Sequence, residues 1–360
     1  MATCTLAGAR SGYGLLWALI FSILATLVLQ DMAVRLGART GMGLATALVR
    51  GRGPFLRGVI ASLVLGALLV GNAAYEAGNM TGALLGLELL VGPSLPRLPG
   101  LLILGAGASM VLWSEGLGSL QRVLAAVVLA MSLAFGVAYL GSASSPASSV
   151  SGMAPRSEAE LAVALVGTTI VPYNLFLHAA AVRVEGEGAR LGGAFAIALG
   201  GLVSFFILGT AAELPGHTIQ SPLDLARGLE SSMGVAGRYA LGLGLLAAGS
   251  SSALTAPLAA GLVIGELFPG TRWSRRARLL VVVCGVLYGG TELDPLALIV
   301  TAQAANGLLL PVVIVFLLAA MNRRDLLGRD VNGWAANLAG VLVLIVGLCL
   351  GLRLLGRAFG

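Results

Sequence analysis

Ten mainly apolar runs, most of them about 20 residues or longer, follow one another along this chain, separated by short polar or glycine-rich breaks. A helix rises 1.5 Å per residue, so a run of about 20 crosses the roughly 30 Å hydrocarbon layer of a bilayer. Inside that layer no water satisfies a backbone N–H or C=O, so each run must close its own hydrogen bonds as a helix. Charged residues make up 11% of the chain, against roughly 25% in a soluble domain. No polar stretch is long enough for a separate soluble domain. The 52 glycines suit close helix–helix approach in lipid.

The runs fall at 13–36, 56–90, 100–113, 120–140, 159–184, 192–214, 235–267, 278–288, 296–321 and 334–355. Residues 278–288 are too few alone and must extend into their flanks. A Ser-rich connector occupies 141–155. Of the 22 basic residues, all Arg, 15 sit in one alternate set of loops and 7 on the other side or near the C-terminus. The positive-inside rule makes the richer set cytoplasmic and puts the C-terminus outside. The first full run then enters from outside, and a helix is expected ahead of Met1. The net charge of +6 is spread through short loops, which is no nucleic-acid footprint. Cys4, Cys284 and Cys349 stand singly, and His178 and His217 are too few for a histidine metal cage.

One span carries an internal break signal. Residues 167–178 read GTTIVPYNLFLH. Pro172 removes a helical hydrogen bond and its ring clashes with the preceding turn. Thr168, Thr169, Tyr173 and Asn174 place polar groups beside it. Such a break is tolerated at bilayer depth where it is buried or lines a cavity, and its freed carbonyls can coordinate a cation. A simple proline kink satisfied by its polar neighbours is the competing reading.

This segment resembles helix six of the Nramp divalent-metal transporters, roughly M-P-H-N-x-Y-L-H. Further matches follow in order: Gly12–Trp17 with the start of helix two, 35–45 with the loop after it, Ala247–Ser252 with helix eight, and Leu293–Pro295 with Gln303 and Pro311 for helix ten. The resemblance implies an all-α polytopic LeuT-type bundle in one domain, with inverted repeats and broken helices one and six. It divides the chain into a helix-one remnant at 1–12, helices two to five at 13–140, an external loop at 141–158, helices six to ten at 159–322 and helix eleven at 333–357. It implies secondary transport of a divalent metal ion by alternating access across the inner cell membrane, linked to protons. The metal is cargo, and no cofactor is called for.

The resemblance also assigns roles. Thr168, Val171, Asn174 and Gln303 fall at the family's metal-site positions, and Glu76, Asn72 and His178 at its proton-pathway positions. Three departures matter. The family's D-P-G-N of helix one aligns just ahead of Met1, so the expected Asp and Asn ligands are not in this sequence. Val171 stands where the family has a metal-binding Met; losing a soft thioether weakens preference for transition metals and admits hard ions such as magnesium. Tyr173 replaces the first family His, while His178 matches the second. On helix three, Asn72 stands for the family's Asp at altered spacing, leaving Glu76 as the carboxylate. A carboxylate at that depth is costly and calls for a partner or a function; hydrogen bonds from Asn72 or Asn79 are the structural alternative. Gln303 offers an oxygen suited to a hard cation, while Asn306 reads as an interhelical hydrogen bonder. Asp31 and Glu266 are expected to pair with Arg35 and Arg272, and Asp294-Pro295 to open a helix.

The competing functions are a LeuT-type carrier of an organic substrate such as an amino acid, a non-transporting remnant, and a membrane enzyme. No GxSxG, HExxH or catalytic Asp pair occurs, so nothing marks an enzyme.

Overall fold

A computed structural model of the chain describes residues 1–92, 95–114, 117–141, 159–185, 188–213 and 234–359, with positions 224, 226, 227 and 230 between. The Ser-rich connector and His217 lie outside the described residues.

In chain order the helices are α1 (Ala2–Ser11), a 3₁₀ turn (Gly12–Leu15), α2 (Leu16–Thr40), α3 (Leu44–Val49), α4 (Pro54–Val91), α5 (Arg97–Ser114) and α6 (Leu117–Gly141). They continue as α7 (Ala159–Thr169), α8 (Pro172–Glu185), α9 (Gly188–Ala212), α10 (Val235–Leu267), α11 (Trp273–Gly289), α12 (Pro295–Met321), α13 (Arg324–Leu327) and α14 (Trp334–Phe359). Among the described residues, seven helical segments are long and apolar enough to cross a membrane.

The helix-three run is one unbroken helix through its polar patch, because Asn72, Glu76 and Asn79 all turn inward to packed neighbours. The short 278–288 run does extend: α11 begins at Trp273 and draws its first turn from the arginine-rich segment. At α12 the Asp294 side chain accepts the Ala297 N–H at 2.8 Å, with Pro295 in the first turn.

The packing divides into two four-span groups. α1, α2, the α7–α8 pair and α9 pack on one another; α4, α5, α10 and α11 form the second group. α12 lies against α7 and α4, and α6 against α10 and α9, so each bridges the groups. Counting the α7–α8 pair as one span, elements five apart in order play equivalent parts, which is the internal symmetry of an inverted-repeat LeuT-type bundle. α14 packs outside on α12.

The distribution of polarity is that of a membrane protein. Leu24, Phe55, Met110, Val137, Leu191, Phe195 and Leu287 are exposed on the perimeter, while Ser22, Thr26, Asn72, Glu76, Asn79, Gln303 and Asn306 are buried. Where lipid replaces water, burying apolar surface gives no drive for helix association, so close packing carries it. α4 and α10 show how: at Gly249 a methyl group would sit 2.6 Å from the Ala83 nitrogen and 2.7 Å from the Asn79 carbonyl oxygen. The two backbones touch because glycine is there.

Candidate functional site

The helical break sits at Ile170–Val171, between α7 and α8. In a continuous helix the Thr168 carbonyl would accept from residue 172, but Pro172 has no N–H to give. α7 ends with the Ile170 N–H on the Val166 carbonyl at 2.8 Å, and the next local bond is Asn174 N–H to the Val171 carbonyl at 3.0 Å. Thr169 bonds back to the Leu165 carbonyl at 2.9 Å, and its own carbonyl receives the Thr26 hydroxyl from α2 at 3.5 Å. The break is therefore held in place by its neighbours, and the Thr168 carbonyl is freed.

Gln303 comes to this break because of Gly167. A methyl group on Gly167 would collide with the Gln303 carbonyl oxygen and sit 2.6 Å from the Gly307 nitrogen, so α7 and α12 meet backbone to backbone just ahead of the break. Gln303 Oε1 is buried and has no hydrogen-bond partner among the described residues. An orphaned buried carbonyl oxygen is costly, and it is the atom a hard cation would use. Val171 is buried and Thr168 and Asn174 are half-buried at the same break.

Two residues that the sequence pattern did not single out complete the surroundings. Tyr75 of α4 meets Tyr173 edge to face, with ring centroids 5.6 Å apart. Its hydroxyl faces Ser252 and Gln303 as well. Thr255 of α10 lies 3.3 Å from the Tyr173 hydroxyl. The Tyr173 position thus joins α8 to α4 and α10. No spacing rule marks Tyr75; its only signal is its place beside Glu76.

Glu76 is fully buried, facing α11, where Gly285 leaves room for its side chain. Oε2 accepts from Asn79 at 3.4 Å and Oε1 has no hydrogen-bond partner among the described residues. Asn72 does not serve it: its amide donates to the Ala256 carbonyl of α10 at 3.0 Å. His178 lies half-buried further along α8, away from the break by more than a turn. Asn306 is buried one turn beyond Gln303, with Nδ2 unpartnered among the described residues. Asp31 pairs with Arg35 at 3.3 Å, as expected, and also with Arg190 of α9. Glu266 takes a different partner from the one expected: its Oε2 accepts the Thr46 N–H at 3.2 Å, capping α3 from a neighbouring helix. Gly43, the residue before α3, has no side chain for that task.

Among the described residues no three His, Cys, Asp or Glu gather into a metal-binding group. The break offers neutral oxygens, the mode by which unwound helices hold cations in transporters.

Comparison with known proteins bears on this arrangement. The sequence profile of the Nramp family, described as natural resistance-associated macrophage protein-like, matches residues 1–357. The divalent metal cation transporter MntH of Klebsiella pneumoniae (strain 342) is 30% identical over 381 residues, covering 100% of this chain and 90% of that protein. MntH of Pectobacterium carotovorum subsp. carotovorum (strain PC1) is 28% identical over 365 residues, covering 96% and 87%. The crystal structure of an Eremococcus coleocola manganese transporter superimposes with a TM-score of 0.77 at 20% identity, over 98% of this chain and 81% of that one. A nucleobase-cation-symport-1 family transporter in a closed conformation shares the bundle at a TM-score of 0.57 and 18% identity, over 99% and 92%. With the profile matched over nearly its whole length and the LeuT-type bundle in place, this chain belongs to the Nramp family.

Proposed function

We propose that the protein is a secondary transporter that moves divalent metal ions across a membrane by alternating access. The observation that carries this is the break at Ile170–Val171, with the freed Thr168 carbonyl on α7 and the unpartnered Gln303 Oε1 on the helix packed against it. Membership in a family whose curated relatives carry the name divalent metal cation transporter supports it.

In this reading the ion passes between α7–α8 and α12, a helix that touches both packing groups. Thr168 and Gln303 supply oxygen ligands, and Asn174 adds a side-chain oxygen at the first turn of α8. Val171 contributes an apolar wall, because an alkyl group offers no lone pair. Glu76, with one carboxyl oxygen unpartnered, and His178 carry the protons that move with the metal. The arginine-rich loops face the cytoplasm of a bacterial inner membrane and the C-terminus faces outward, as the positive-inside rule requires. An amino-acid carrier on the same bundle is the weaker reading, since the relative at 30% identity is named for metal transport.

Purified protein in proteoliposomes tests this with manganese, magnesium and an amino-acid mixture as separate cargoes. Saturable uptake of a divalent metal with no amino-acid uptake is expected. Amino-acid uptake without metal uptake overturns the proposal.

A further inference from the structure

At the arginine-rich end of the bundle, a half-open cavity of about 730 Å³ lies between the C-terminal end of α5 and the start of α11. Arg272, Arg275, Arg276 and Arg278 line it together with Trp113 and Ser274. Among the described residues no carboxylate lines it and none of the four arginines makes an ion pair. Two guanidinium groups lie over rings: Arg275 over Trp113 with its central carbon 4.9 Å from the ring centroid, and Arg276 over Trp273 at 5.3 Å. A cation–π contact restrains a guanidinium over its ring while its N–H groups can still donate to an anion. Arg278 is half-buried with its Cγ and Nε over Gly261 of α10, and its Nε has no hydrogen-bond partner among the described residues. The first turn of α11 adds unpaired backbone N–H groups and the positive end of a helix dipole.

Four arginines lining one cavity beside a helix N-terminus ask for a multivalent anion. Phosphate fits, because its oxygens match the guanidinium fork. The position identifies the source. Trp113 and Trp273 are each 59% exposed beside the cavity, as tryptophans are at the headgroup level of a bilayer. From there Leu280, Val283 and Leu287 of α11 run down one face of the helix, 55%, 51% and 66% exposed, as a track for an acyl chain. Basic pockets between helices at the cytoplasmic leaflet hold anionic lipid headgroups on these terms.

We propose that this cavity is a binding site for the phosphate headgroup of an anionic phospholipid, with Arg275, Arg276 and Arg278 as its ligands and the α11 face as the acyl track. The site lies apart from the α7–α8 break and does not depend on what crosses there.

The test uses the full chain, delipidated in detergent, titrated with phosphatidylglycerol or phosphatidylcholine and read by native mass spectrometry, with inorganic phosphate as a separate arm. Saturable binding of phosphatidylglycerol is expected, with phosphatidylcholine weaker by about tenfold or more. The R275Q/R276Q variant should lose at least about tenfold in phosphatidylglycerol affinity. R52Q/R57Q, which removes the same charge from exposed positions elsewhere, should bind like the parent. The charge-preserving R275K, which loses the planar stack, tests the geometry and should weaken binding by itself. Equal losses in R275Q/R276Q and R52Q/R57Q, or none in either, overturn the proposal. Inorganic phosphate binding with the same arginine dependence, in the absence of lipid binding, also overturns the lipid assignment. A melting temperature without lipid within a few degrees of the parent confirms that each variant is folded; should R275Q/R276Q fail this, R275K carries the comparison.

Discussion

Gly167 of α7 lies flush against the Gln303 carbonyl of α12, closer than any residue with a Cβ could come. This contact seats the helical break against α12, one of the two helices that bridge the packing groups. G167A inserts one methyl group at a backbone–backbone crossing, where neither wall is a flexible side chain. Overpacking of this kind costs about 1–3 kcal/mol. The expected result is a lower melting temperature and loss of metal uptake while the protein remains membrane-inserted. Uptake equal to the parent would show that α7 and α12 separate freely at this point.

Gln303 Oε1 is buried without a hydrogen-bond partner among the described residues. If it serves the metal, Q303A should weaken apparent metal affinity by roughly 10- to 100-fold, the range seen when support to a metal is removed. The loss should appear in KM rather than in protein stability, because removing an unsatisfied buried oxygen relieves a desolvation cost. Concentration-dependent uptake and a melting curve on the same preparation separate the two effects.

Val171 is buried at the break and cannot ligate. V171M introduces a soft thioether at the position where the family resemblance expects one. The ratio of manganese to magnesium uptake should rise by at least about tenfold, equivalent to about 1.4 kcal/mol, because sulfur favours the softer ion. Competition of magnesium against manganese uptake measures the ratio directly. An unchanged ratio would place residue 171 outside the ion's reach.

Glu76 has one carboxyl oxygen bonded to Asn79 and the other unpartnered among the described residues. E76Q keeps the shape and the acceptor for Asn79 but cannot exchange a proton. Proton influx that accompanies metal, read with a pH-sensitive dye inside proteoliposomes, should fall to background in E76Q. Retained proton influx would make Glu76 a structural carboxyl and shift attention to His178.

Glu266 accepts the Thr46 N–H at 3.2 Å and so caps α3 across the bundle. E266A leaves that N–H without its carboxylate and should cost about 1 kcal/mol. E266Q retains an acceptor oxygen and should recover most of the loss. Melting curves of the two variants decide it.

The spans were legible in the sequence because the bilayer imposes one rule on every segment that crosses it. Apolar runs, a proline among threonines and an Asp-Pro pair before an apolar run marked the helices, the break at Ile170–Val171 and the start of α12. These signals are local, since each depends on residues within a few turns of one another. Side-chain partners are not local. Asn72 turned to the Ala256 carbonyl rather than to Glu76, and Glu266 to Thr46 across 220 positions of sequence. Tyr75 gave no motif signal, yet it lies against Tyr173 and faces Gln303. The four arginines near the start of α11 read as a topology signal, and only the fold sets them around one cavity with two tryptophans. The reason is physical: apolar length specifies that a segment is a helix in a membrane, but which faces meet depends on backbones approaching within contact distance at Gly167 and Gly249, and those approaches exist only once all the helices are packed together.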